Sequence, residues 1–340
     1  MAPAEARAGF ATGIRHAAEY RLLQAALAGF DRLPIGTAAA LARRLGRTWF
    51  ALDRRRRRVA ISNVLRAGFA GDQRQATDLA RRSAEHFALV VLEALRSEEI
   101  LDREPAEPEG GAEPQPACGG VELRIDPAAR ALLEDEAQGM VQPACGGVEL
   151  RIDPAARALL EDEAQGMVLS SGHFGNWEIG GQVLSRFKPV AGIARPMNNP
   201  RVERLVQQRK PRYRFRPIPK YSGEPRRFLE VLRQGEALAL LTDQHARSGG
   251  VPVELFGHPV STYTTSAMLH LVARVPLCFA ACRRVAPLRF ELVVSPPIEH
   301  RRSGDRRADV QAILRRLNAM LEEQVRLAPD QYVWGHRFWR

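Results

Sequence analysis

From residue 168 onward, short runs of wholly apolar residues alternate with longer stretches whose apolar positions recur at helical spacing. The runs at 168–174, 237–243, 276–284 and 288–295 are too short for helices, and their uninterrupted apolar character suits strands buried on both faces. The intervening stretches, at 177–186, 200–209, 224–234, 262–274 and 306–327, read as helices. Strands alternating with helices predict an α/β fold: a central mostly parallel or mixed sheet flanked by helices. A chain of 340 residues has ample material for such a core.

The first hundred residues read differently. Tyr20 to Phe30 and Ile35 to Leu52 are helical in pattern, and Arg54 to Arg58 follow as five consecutive arginines. No run reaches the roughly 18–20 apolar residues of a membrane-crossing helix. No compact apolar core followed by a small-residue cleavage site opens the chain, so no signal peptide is expected. An apolar stripe beside clustered arginine suits an N-terminal helical membrane-docking segment lying on an anionic bilayer. An ordinary helical subdomain with solvated arginines fits the same pattern. The chain carries a formal charge of +11, and all but three of its 50 basic residues are arginine. Anionic partners are therefore expected. Nucleic acid is not, because there is no finger spacing, no RNA-binding aromatic motif and only 6% aromatic residues.

Charge also divides the chain. Residues 1–100 carry a net +7, residues 101–168 a net −10 and residues 169–340 a net +14. The acidic stretch holds a tandem repeat, because residues 115–141 recur letter for letter at 142–168. A single perfect duplication is unlike a working solenoid, whose units diverge and number three or more. Each copy reads as a short strand and then a helix opened by Asp-Pro, Asp capping and Pro in the first turn, that stops near Gly139 or Gly166. Only the second copy leads directly into the apolar run at 168. The expected division is therefore 1–100, an N-terminal helical membrane-associating segment; 101–141, an acidic linker with the extra copy; and 142–340, the α/β core.

Val168-Leu-Ser-Ser-Gly172 is followed by His173-Phe-Gly-Asn-Trp-Glu178 and then a helical pattern. That order is strand, loop, helix, with Asn176 a plausible cap, and ligands of open α/β sheets gather at such strand ends. A His held by a carboxylate is the general-base half of an acyl-transfer triad, and a substrate hydroxyl can supply the missing nucleophile. His173 would take the hydroxyl proton while Glu178 fixes the tautomer. A Glu in a first helical turn is also favoured by the helix dipole without any catalytic role. Metal binding is not expected, since there is no His-Glu-x-x-His and no third ligand nearby.

His-Phe-Gly-Asn-Trp-Glu at 173–178 resembles the signature of the lipid A biosynthesis (lauroyl/myristoyl) acyltransferases, relatives of the His-x4-Asp/Glu glycerolphosphate acyltransferases. Further blocks resemble that family in order: Arg55 to Leu65, Ala194 to Pro200, Leu240 to Gln244, Gly250 to Pro259 and Gln331 to Trp339. The resemblance implies transfer of a fatty acyl chain from an acyl thioester to a hydroxyl of a lipid A precursor. The donor would be acyl carrier protein, or acyl-CoA. The acceptor would be a glycolipid at the cytoplasmic face of the bacterial inner membrane, and the enzyme a monomer needing no cofactor. His173 and Glu178 become the catalytic pair. Arg195, Asn176, Asp243 and Gln244 become substrate-binding candidates, with Arg195 on phosphate or the developing oxyanion. Asp243 and Gln244, at a strand end, either shape the site or hydrogen-bond a neighbouring loop. Two alternatives remain open: the same chemistry on another acceptor, such as a phosphatidylinositol mannoside or an aminolipid, and a catalytically inactive membrane-binding homologue. Phe256 and Gly257 read as packing and turn residues, Trp334, His336 and Arg337 as a buttress for the site or a headgroup contact, and Cys278 and Cys282 as core residues.

Overall fold

A computed structural model describes residues 2–102, 141–145, 147–209, 214–219 and 225–339. Five helices come first: α1 (Ala2–Asp31), α2 (Ile35–Leu52), α3 (Arg54–Arg66), α4 (Gln73–Leu95) and α5 (Ser97–Leu101). Asp53 and Asp72 cap α3 and α4 by accepting from Arg56 N and Gln75 N. No helix among the described residues is long and apolar enough to cross a membrane.

The second repeat copy supplies β2 (Val148–Ile152) and α6 (Pro154–Glu161), preceded by β1 (Val141–Cys145). Asp153 caps α6 through Ala155 N and Ala156 N, with Pro154 in the first turn, as the Asp-Pro pair predicts. The helix stops at Glu161, short of the expected Gly166, and Asp162 to Gly166 form the turn into the next strand. The first copy, apart from Val141, lies outside the described residues.

The core continues as β3 (Met167–Ser171), α7 (Trp177–Phe187), β4 (Val190–Ala194), α8 (Pro200–Gln208), β5 (Phe215–Pro219), α9 (Pro225–Arg233) and β6 (Ala237–Leu241). A hairpin of β7 (Val251–Leu255) and β8 (His258–Thr262) follows, then α10 (Thr265–Ala273), β9 (Leu277–Ala286), β10 (Arg289–Val294) and α11 (Arg306–Leu327). The main sheet has the order β1-β2-β10-β9-β3-β6-β4-β5. It is mixed: β9, β3, β6, β4 and β5 run parallel, whereas β10 is antiparallel to β9, and β1 to β2.

Both faces of the central strands are buried, and successive side chains serve opposite layers. Met167 and Leu169 of β3 join the layer that holds α6 and α7, while Val168 joins the layer that holds α3, α4 and α11. In β9, Cys278, Ala280 and Cys282 take the first side and Leu277, Phe279 and Ala281 the second. This two-sided burial explains why these strands read as unbroken apolar runs.

Helices 177–186, 200–209, 224–234 and 306–327 are met within a residue or two at each end. The helix expected from 262 starts at Thr265, because 258–262 is the return strand of the hairpin. The stretch Gly250 to Pro259 carries no strand pattern in sequence. Its hairpin turns on Phe256 and Gly257, both at positive φ (51° and 74°), with Leu255 opposite His258. A two-residue turn with φ positive at both positions matches the strand twist, so Phe256 occupies a strained left-handed position while its ring packs on Trp334 at 5.6 Å.

Candidate active site

The strands leaving the sheet at β3 and β6 position the site. They pair in parallel with Ser171 opposite Leu241, so the chain two residues further on brings His173 beside Asp243. The two strands also feed opposite directions: β3 leads past β6 to β4, whereas β6 leads past β3 to β9. A crevice opens where such connections part, at the carboxyl ends of the strands.

Asp243 grips His173 twice. Its Oδ1 lies 2.7 Å from His173 Nδ1, and its Oδ2 accepts from the His173 backbone N–H at 2.8 Å. Asp243 is buried, and burial alone would raise its carboxyl. The charge of His173, its hydrogen bonds and the nearby His336 outweigh that, and the net shift is downward. Nδ1 is therefore the protonated nitrogen, donating to Asp243. The Gln244 amide nitrogen lies 3.3 Å from His173 Nε2 and 3.5 Å from His336 Nε2, a donor facing two acceptors. This tautomer leaves His173 Nε2 unprotonated, facing the Gln244 amide and able to take a proton. Behind Asp243, burial and the carboxylate charge hold the Tyr332 phenol well above its ordinary pKa.

The contact that the sequence reading gave to Glu178 is thus made by Asp243, because Nδ1 has room for one in-plane partner. Glu178 lies half-buried in the first turn of α7. Asn176 is fully buried and caps that helix through Ile179 N, as expected, while its amide nitrogen donates to Glu93 at 2.8 Å. Both ends of its side chain are thus engaged within the fold, one on the helix and one on Glu93. Arg195 is exposed at the end of β4, two strands from β3 on the same edge of the sheet, and does not line the cleft at His173.

The loop that carries His173 is fixed on three sides. His173 O accepts from Val333 N at 3.0 Å, Gly175 N donates to Gln331 O at 3.0 Å, and Asn176 N donates to Cys282 O at 2.7 Å. Gly175 has φ +59°, and a Cβ there would stand 1.9 Å from Cys282 O, so only glycine fits. A buried polar network backs the turn. Arg284 pairs with Glu93 and donates to His86 Nδ1 at 2.6 Å, leaving His86 Nε2–H to donate to Gly175 O at 3.0 Å. Burial, with Arg284 adding, lowers the His86 pKa to about 3, so its ring is neutral.

His173 opens onto a cleft of about 340 Å³ between the N-terminal helices and the C-terminal segment. Rings line one wall in succession: His173 to Trp177 at 5.2 Å, Trp177 to Phe87 at 6.3 Å and Phe87 to Trp49 at 6.1 Å. Ala80 and Ala84 fill between them, and Asp53, Arg56 and Arg57 supply its charged groups. Across the cleft His336 stands 4.8 Å from His173, ring to ring, with its pKa lowered to about 4 by burial and then by His173. Trp334 is wholly buried and donates to Pro329 O at 2.7 Å, whereas Arg337 is exposed. No sequence signal marks the cleft's aromatic wall, because Trp49, Phe87 and Trp177 sit on three separate helices. Cys278 and Cys282 are buried, and burial pushes the Cys278 thiol up to about 12, which suits core residues. Among the described residues, no three His, Cys, Asp or Glu side chains converge to hold a metal ion.

The arrangement can abstract a proton at the mouth of an apolar cleft with cations nearby. A family model described as bacterial lipid A biosynthesis acyltransferase matches residues 157–340. A lipid A biosynthesis palmitoleoyltransferase of Escherichia coli K12 is 26% identical over 170 residues, covering 48% of this chain and 53% of that protein. A lipid A biosynthesis acyltransferase of Shigella flexneri aligns with the same identity and coverage. The chain thus spans about half the length of the curated relatives it matches.

Proposed function

The chain belongs to the bacterial lipid A biosynthesis acyltransferase family, and on that premise we propose that it moves a fatty acyl chain from a thioester to a hydroxyl of a lipid A precursor. The observation that carries the reading is the His173–Asp243 pair at the mouth of an apolar cleft. His173 Nε2 takes the proton of the acceptor hydroxyl as its oxygen attacks the thioester carbonyl. Asp243 keeps the proton on Nδ1 and stabilises the imidazolium that forms. The tetrahedral intermediate then expels the thiolate, which recovers the proton from Nε2, giving an ester and a free thiol. Glu178 and Arg195 are retained as candidates for contacts with bound substrate. The donor is proposed to be acyl carrier protein, and the working place the cytoplasmic face of the inner membrane. Support for a bilayer comes from α2, where Leu41, Leu45, Trp49 and Leu52 lie exposed at helical spacing beside the arginines that open α3.

The test is transfer of a labelled acyl chain from acyl carrier protein to lipid A precursor in detergent, with acyl-CoA as a second donor. Wild type should form product, and His173→Ala should lose about 10³-fold or more in rate. Equal product from the two proteins would falsify the reading.

A further inference from the structure

Among the chain's 47 arginines, the resemblance makes only Arg195 a substrate-binding candidate. The structure chooses two, because Arg56 and Arg57 line the same cleft as His173. We infer that Arg56 and Arg57 bind a phosphate group of the substrate whose reacting end lies at His173. This rests on the proposed acyl transfer for the identity of that substrate.

Four observations carry the assignment. Arg56 sits over the Trp49 ring at 5.2 Å, the far end of the aromatic wall that starts at His173. Its charge is also felt at His336, whose ring is 4.8 Å from that of His173. The nearby carboxylate, Asp53, is already committed: its Oδ1 accepts from Arg56 N at 2.9 Å to cap α3, and its Oδ2 lies 3.7 Å from Arg56 Nε. Among the described residues, that separation leaves most of the guanidinium's donors without a hydrogen-bond acceptor. Arg57 spends one nitrogen on Ala51 O at 3.2 Å, which fixes its stem against the end of α2. Two forks of planar donors, one braced by a ring and one by a carbonyl, suit a phosphate, which offers three oxygens to bidentate contacts. An apolar cleft lined by a base and by two arginines fits an amphiphile with an anionic group. A simple fatty acyl chain carries none.

Both partners of the proposed reaction could bring the phosphate: the phosphopantetheine arm of the donor, or the phosphorylated sugar of the acceptor. Binding is measured by calorimetry on the full chain in detergent, using acyl phosphopantetheine against acyl pantetheine, and lipid A precursor against its dephosphorylated form. In wild type, one pair should show about tenfold or tighter binding of the phosphorylated member. The Arg56→Ala/Arg57→Ala protein should bring that ratio close to one, Arg56→Lys/Arg57→Lys should keep part of it, and Arg315→Ala, on the exposed face of α11, should leave it unchanged. Circular dichroism confirms that each variant is folded, and the pair that responds identifies the source. Ratios that the double alanine variant leaves unmoved in both pairs overturn the proposal, as does a loss confined to binding of anionic phospholipid vesicles. Because the readout is binding, absence of turnover in wild type would sink the acyl-transfer reading without deciding this one.

Discussion

Asp243 holds both the ring and the backbone of one residue, and this double grip gives the site its handedness. With Oδ1 on the imidazole and Oδ2 on the amide, rotation of His173 about its side-chain bonds breaks the first contact while the second holds the loop. Asp243→Asn keeps the volume but replaces one acceptor by a donor. The imidazole then loses its reason to keep the proton on Nδ1, and the rate should fall about 10²–10⁴-fold with little change in stability. Glu178→Gln should cost less than about tenfold, since the Asp243 contacts are untouched. Steady-state rates of the two variants side by side check this, and an equal loss would return the orienting role to Glu178. His173 itself was legible, because a lone His between a buried run and a helix cap marks a strand exit. Its partner was not: Asp243 is 70 residues away, and only the pairing of β3 with β6 makes them neighbours. The local pattern offered Glu178 instead, five residues on, on an element that a His–carboxylate pair need not use.

Among the elements, α4 ties the N-terminal helices to the catalytic loop through groups that must stay in one protonation state. His86 is buried with Arg284 on one nitrogen and the Gly175 carbonyl on the other; Glu93 neutralises Arg284 from the same helix. A proton on Nδ1 would face the guanidinium. The folded pKa of about 3 lies below the ordinary 6.5, so the folded state binds fewer protons between those values. His86 therefore contributes its full stability above about pH 6.5 and loses it progressively as the pH falls toward 3, at roughly 1.4 kcal/mol per unit. Denaturant midpoints should drop between pH 7 and 5 in wild type and drop less in His86→Gln, with carboxylate contributions common to both. Parallel curves would remove His86 as the cause. The same scale shows where sequence reading fails. Central strands β3, β6 and β9 are apolar on both faces and were found, whereas the edge strand β5, Phe-Arg-Pro-Ile-Pro, is mostly exposed. Its two prolines are tolerated because an edge strand has one side with no partner to donate to. Strand β4 and the hairpin were missed for a related reason: five-residue segments with glycine or proline inside them carry too little periodicity.

At the scale of the whole molecule, the open matter is how much of the acidic stretch the fold uses. The second repeat copy is employed in the core: Val148, Leu150 and Ile152 are buried in the sheet, and Ala156 and Leu160 are buried on the inner face of α6. The place of a strand beside β10 is therefore taken by the second copy. Geometry agrees. Gly147 N donates to Ile100 O at 3.1 Å, so the end of the N-terminal helices and the start of the second copy already touch. Without residues 115–141, the twelve residues 103–114 would join Asp102 to Gln142, and they reach about 40 Å when extended. The two points are each within a few residues of the touching pair, so that reach is ample. Deletion of 115–141 also removes more acidic than basic side chains, raising the formal charge from +11 to +14. The expected outcome is a chain that keeps its cooperative unfolding, with a melting temperature within a few degrees of the full-length protein, and equal or better acyl transfer. Vesicles of anionic phospholipid should bind it at least as tightly, because an acidic segment next to a basic surface repels them. Loss of cooperative unfolding would instead mean that the first copy fills a place in the fold.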